Sequence, residues 1–122
     1  MKDNNIASFK DLTIYFEQQQ KKLWRSINNK RKVIYWANEG IDHPVEDDDV
    51  IHWWGVSANV NKLVGRKNQV ILSNYDVTYL DIGFGNFYGG TYSTYQSWRK
   101  AYSYEPRVKD VNVIGGASCM WN

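Results

Sequence analysis

Trp36, Trp54, Tyr79, Asp81 and Trp121 are the residues of this chain in which chemistry and placement coincide. An indole or a phenol offers a flat apolar face and a polar edge. That combination stacks on the apolar face of a pyranose ring while the sugar hydroxyls find hydrogen-bond partners. The chain holds 6 Trp and 9 Tyr against 4 Phe, so its aromatic excess is of amphipathic rings. A single aromatic ring is more often core filler than ligand contact, which makes position the deciding evidence. Each of these residues stands at the end of a short apolar run or in the loop that follows one.

Other reactive residue types point away from metal, redox or phosphate chemistry. Cys119 is the single cysteine; it cannot form an intramolecular disulfide or by itself a structural zinc site, and its apolar surroundings read as packing. His43 and His52 have no metal-ligand spacing and read as a loop and a strand residue. The run Glu46-Asp47-Asp48-Asp49 precedes an apolar segment instead of following one and reads as solvated loop. Trp36-Ala-Asn-Glu-Gly40 is neither GxGxxG nor a P-loop, which disfavours nucleotide binding. No cofactor and no metal are expected.

The elements that must position these side chains follow from periodicity. Ser8 and Asp11 form an N-cap with an acidic first turn, and Phe9, Leu12, Phe16, Leu23 and Ile27 recur at helical spacing, predicting an amphipathic helix over about 8–28. Val33-Ile-Tyr-Trp36 and Val50-Ile-His-Trp-Trp54 are apolar runs suited to buried strands. Adjacent strand residues point to opposite faces, so one of Trp53 and Trp54 packs in the core and the other is left to line a site. A short helix entered at Ser57 leads through Gly65 to a third strand at Val70-Ile-Leu72. A Tyr- and Gly-rich stretch after Asn74 precedes a short helix within 92–104, and Val111-Asn-Val-Ile114 is a fourth strand. Continuous apolar strands alternating with helices predict an α/β fold with a parallel sheet covered by helices.

Composition sets the class: 122 residues, 43% hydrophobic and 23% charged, with a net charge of +2 drawn from scattered clusters such as Lys30-Arg31-Lys32. That is a core-forming chain with no polybasic stretch to hold nucleic acid. No apolar run approaches the roughly 20 residues of a membrane span, and the start Met1-Lys-Asp-Asn-Asn5 has no signal-like stretch. Neither a nucleic-acid nor a membrane partner is expected.

In a β/α barrel the carboxyl ends of the strands form one rim, where active sites are built. Trp36, Trp54, Tyr79-Leu-Asp81, the run Trp98-Arg-Lys-Ala-Tyr102-Ser-Tyr-Glu-Pro106 and the closing Gly115-Gly-Ala-Ser-Cys-Met-Trp121 stand in an order that resembles glycoside hydrolase family 20, the β-N-acetylhexosaminidases. The resemblance covers the chain from Ser8 to its last residue. It implies a partial (β/α)8 TIM barrel, approximately strands five to eight with their helices, so that 1–122 form the C-terminal half of a catalytic barrel.

By that resemblance Trp36, Trp54 and Trp121 wall the pocket for the N-acetyl group, Tyr79 hydrogen-bonds the acetamide and Asp81 binds a sugar hydroxyl. The implied reaction is substrate-assisted hydrolysis of terminal N-acetylhexosamine, the acetamide oxygen attacking the anomeric carbon. The family's adjacent Asp-Glu pair is then expected before Met1, and its acidic residue beyond the last Trp is expected past Asn122. The family's acidic residue shortly after the first Trp meets Ala37, Asn38 and Glu39 here, so either Asn38 replaces it or the loop is shifted by one; Ala117 stands where the closing motif often has Glu, and both departures bear on sugar preference. The partner implied is an N-acetylhexosaminyl glycan, the compartment lysosomal or extracellular, and the complete enzyme a homodimer in some members.

The isolated half barrel is expected to be inactive and, with unpaired strand edges, to associate. The competing reading is a noncatalytic carbohydrate-binding module using the same rings; helix 8–28 argues against it, since such modules are usually β-sandwiches. A single-strand nucleic-acid binder is weaker still, because basic clusters and aromatic positions fall in different parts of the chain.

Overall fold

The computed structural model describes residues 6–38, 45–80 and 98–120. Helix α1, Phe9–Ile27, begins at a full capping box: Ser8 Oγ accepts from the Asp11 backbone N–H, while the Asp11 carboxylate accepts from the Ser8 N–H. That exchange satisfies two helix-end donors, typically worth about 1 kcal/mol. Four strands follow: β1 (Ile34–Ala37), β2 (Val50–Trp53), β3 (Gln69–Leu72) and β4 (Asn112–Gly116). They form one sheet in the order β1-β2-β3-β4, every neighbouring pair parallel. The predicted α/β parallel sheet is therefore present, each strand within a residue or two of its expected place. The β3–β4 ladder shifts register between Val70 and Ile71.

One face of the sheet is the core. Ala37, Ile51, Trp53, Val70 and Leu72 alternate inward from three strands and close around Leu63, with Val45, Val60, Val108, Val111 and Val113 packed against them. Full burial of side chains such as Ile51, Leu63 and Leu72 contributes about 1.5–3 kcal/mol each. Leu63 comes from a 3₁₀ helix, Ser57–Leu63, where a short helix was expected. Gly65, at φ 81°, turns the chain out of it, a conformation costly for any side-chain-bearing residue.

Two further short helices lie near the carboxyl ends of the strands: α2 (Tyr75–Thr78), inside the stretch the sequence left without structure, and α3 (Trp98–Tyr102), inside the predicted 92–104. The predicted amphipathic helix is present, and its apolar stripe is uncovered. Phe9, Phe16, Leu23, Trp24 and Ile27 are all exposed, and the one buried α1 residue is Lys21. The helix is held by ion pairs from Lys21 and Arg25 to the loop before β2, not by its apolar face.

Candidate functional site

The carboxyl ends of β1 and β2 bring two of the predicted site residues together. Trp36 is paired in register with His52, and the ladder continues one step beyond β2 where the Trp54 N–H donates to Ala37 O at 2.9 Å. The Trp36 and Trp54 indoles consequently stack, ring centroids 6.5 Å apart and planes inclined by 16°. Trp36 stays 42% exposed, so the pair retains surface for a ligand. The preceding residue, Trp53, points to the other face and is fully buried. Alternation thus sends Trp53 into the core, as expected, and leaves half-buried Trp54 on the opposite face beside Trp36.

Tyr79 is held at the exits of β3 and β4. The Leu80 N–H donates to Cys119 O at 2.8 Å and the Cys119 N–H to Thr78 O at 3.1 Å, a parallel bridge between Tyr79 and Cys119. α2 is itself clamped. Ser57 donates through its backbone N–H and hydroxyl to Asp76 Oδ1 at 2.9 and 2.8 Å; Tyr104 Oη donates to Asn74 Oδ1 at 2.7 Å; Lys100 Nζ donates to the Asp76 carbonyl at 2.6 Å. Burial, with the Asp76 charge adding to it, raises the Tyr104 phenol above its ordinary range and keeps it a donor. Asp81 and Trp121, the other predicted site residues, lie outside the described residues, as does His43.

His52 and Ser73 were not singled out from sequence as site residues. His52 Nε2 lies 2.8 Å from Ser73 Oγ, Ser73 Oγ donates to Ala117 O at 2.8 Å, and the His52 ring meets Trp36 edge to face, centroids 4.2 Å apart and planes at 74°. Burial lowers the His52 pKa from its usual value near 6.5, favouring the neutral ring. A polar residue in an apolar run was the available signal: Val50-Ile-His-Trp-Trp54 interrupts a buried strand with an imidazole.

The acidic run lies at the opposite, amino-terminal end of β2: Glu46, Asp47 and Asp48 are exposed loop as expected, and Asp49 departs from that reading by being buried. Asp49 is buried against the Lys21 ammonium and accepts from the Glu46 N–H at 2.8 Å. Arg25 bonds Glu46 at 2.8 Å and Asp48 at 3.0 Å, and Lys67 bonds Asp47 at 2.9 Å. The hydrogen bond from Lys21, with Arg25 assisting against the cost of burial, lowers the Glu46 pKa. Glu46, Asp48 and Asp49 do bring carboxylate oxygens within 4.8 Å of one another, a spacing that suits a cation. Two protein cations, Lys21 and Arg25, between them already contact all three carboxylates, so the cluster fastens α1 to the sheet.

A parallel α/β sheet with Trp36 and Trp54 stacked at the carboxyl ends of neighbouring strands is the arrangement found on the rim of a β/α barrel. The chain belongs to glycoside hydrolase family 20, whose catalytic domain, a TIM barrel, matches it over residues 1–122. It is 31% identical to a chitooligosaccharidolytic beta-N-acetylglucosaminidase of Ostrinia furnacalis over 98% of this chain and 23% of that protein. The enzyme of the same description from Bombyx mori is 27% identical over 95% of this chain and 22% of its own length. A beta-hexosaminidase of Emericella nidulans is 24% identical over 94% and 25%. The chain thus spans about a quarter of the length of the curated relatives it matches. No solved structure matches it significantly. Among the described residues no helix is long and apolar enough to cross a membrane.

Proposed function

We propose that these residues are part of a β-N-acetylhexosaminidase that removes terminal non-reducing N-acetylhexosamine, in a lysosome or outside the cell, and that they supply approximately barrel strands five to eight and the acetamide pocket. The observation that carries this reading is the Trp36–Trp54 stack at the carboxyl ends of neighbouring parallel strands. Two indoles inclined by 16° present near-parallel apolar walls, and a flat acetamide is the part of the sugar that such walls would hold.

In the proposed mechanism the acetamide oxygen of the bound sugar attacks the anomeric carbon, the glycosidic bond breaks, and water later opens the cyclic intermediate. Trp36, Trp54 and Trp121 keep the acetamide in its attacking orientation, a positioning effect that in favourable cases removes several kcal/mol of barrier. The Tyr79 hydroxyl donates to the acetamide oxygen and steadies charge as the ring closes, and Asp81 binds a sugar hydroxyl. The general acid and the acetamide-orienting aspartate come from a part of the complete protein outside residues 1–122. The exposed apolar side chains of α1 and the exposed Ile34 and Ile114 of the sheet support a need for further packing partners.

The test is release of p-nitrophenol from a p-nitrophenyl N-acetyl-β-glucosaminide by the complete protein, with Trp36→Ala as comparison. Activity that falls roughly a hundredfold in the variant supports the pocket. Binding of N-acetylglucosamine oligomers without hydrolysis would replace the enzyme reading with that of a noncatalytic carbohydrate-binding module.

A further inference from the structure

We infer that His52 is a positioning residue of the aromatic site: tied through Ser73 to Ala117, its ring sets the plane in which the Trp36 indole stands against Trp54. The inference rests on the role proposed above for Trp36 and deepens it.

Proton counting fixes the direction of the chain. The Ala117 carbonyl can only accept, so the Ser73 hydroxyl, 2.8 Å away, donates its one proton there. At 2.8 Å from the same oxygen, His52 Nε2 must then be the donor. That assignment selects the Nε2–H form of the imidazole, and a flipped ring would lose the bond. Ser73 is itself fully buried, and its N–H donates to Trp53 O at 2.7 Å, so the anchor is part of the rigid sheet. The linkage crosses the ends of β2, β3 and β4 and holds one fixed ring against Trp36 of β1.

At 74° and 4.2 Å between centroids, the imidazole and the Trp36 indole stand edge to face in close contact, the orientation the aromatic quadrupole favours. Rotation of the indole about its side-chain torsions would break that contact and the Trp54 stack together. Because attack by the acetamide oxygen is sensitive to displacements of about 1 Å, a loosened Trp36 should lower turnover more than it weakens ground-state binding.

The experiment uses the complete protein and two readouts. The first is the exciton couplet of the stacked indoles in far-ultraviolet circular dichroism, identified by its loss in Trp36→Phe. The second is kcat and KM for the chromogenic N-acetyl-β-glucosaminide. His52→Gln retains a donor for Ser73 and lacks the ring; Ser73→Ala keeps the ring and removes its tie. Expected are a weakened couplet in both variants and a kcat lowered about tenfold with KM within about twofold. A merely structural hydrogen bond predicts instead that His52→Gln behaves as wild type, and that result overturns the proposal. A weakened couplet with unchanged kcat overturns the catalytic role. If the unaltered complete protein hydrolyses nothing, the enzyme reading fails, while the couplet still decides whether His52 orients Trp36.

Discussion

The Lys21 ammonium meets the Asp49 carboxylate inside the protein, the two side chains 6% and 0% exposed. Asp49 also touches the core directly, preceding Val50 of β2, while Lys21 projects from α1 with its ammonium 5.9 Å from the centre of the Tyr35 ring. Burial, reinforced by the Asp49 charge, pushes the Tyr35 phenol up to about 12, so that ring stays neutral beside the pair. Removing Lys21 leaves the buried Asp49 carboxylate with only Arg25, 3.8 Å away, as a cationic partner. Lys21→Met is therefore expected to destabilise the complete protein by about 3–5 kcal/mol, and the double variant Lys21→Met with Asp49→Leu by clearly less. Urea unfolding of the three proteins measures the difference; equal loss in single and double variants would refute the pairing argument.

A second prediction concerns Gly55. A Cβ built there would lie 2.6 Å from Trp53 Cζ2 and 2.8 Å from Cε2, inside the van der Waals surface of a fully buried indole. Trp53 has no room to retreat. Gly55→Ala should cost about 1–3 kcal/mol by overpacking. Because residue 55 directly follows Trp54, the same variant should disturb the Trp36–Trp54 couplet. A thermal midpoint and a couplet both equal to wild type would contradict this.

The contrast between these sites shows what the sequence made legible. Strands were readable because β-branched and aromatic runs are local signals, and the Trp53/Trp54 division followed from the two-residue period of a strand. Trp36 and Trp54 were expected on one rim, and the structure stacks them. Glu46, Asp47 and Asp48 were legible as exposed loop; the burial of Asp49 was not, because its partner Lys21 lies 28 residues away in the chain and neutralisation by a distant cation leaves no local mark. Helix α1 was legible from its apolar period, but periodicity reports that a face is apolar, not what covers it. His52–Ser73–Ala117 joins three strand ends through single atoms, which no spacing rule predicts.

A pH dependence follows from His52. Burial holds its folded pKa below the usual 6.5, so between the two values the unfolded chain binds more protons than the folded one. Stability therefore rises with pH through that window; it is complete above about 6.5 and is lost as the pH falls through the folded value. Glu46, lowered chiefly by its bond from Lys21, adds a separate loss of the same sign, confined to pH below its usual 4.5. Thermal midpoints at about pH 7.5 and about pH 5.5 should fall further in the wild type than in His52→Gln, which has nothing to protonate at that position. Equal falls would show that His52 does not carry the effect.

Adjacent tryptophans permit a last test in which stability and function separate. Trp53 is fully buried among Ile51, Leu63 and Leu72, whereas Trp54 lies at the rim against Trp36. Trp53→Ala empties the largest side chain of the core, and a cost of about 3–5 kcal/mol is expected. Trp54→Ala removes a partly solvated ring and should shift the unfolding midpoint little, while lowering hydrolysis of an N-acetyl-β-glucosaminide by the complete protein roughly a hundredfold if Trp54 walls the acetamide. The informative comparison is the ratio of the two effects within each variant. If Trp54→Ala lost activity only in proportion to lost folded protein, its ring would be core after all, and the pocket would have to be sought on another part of the rim.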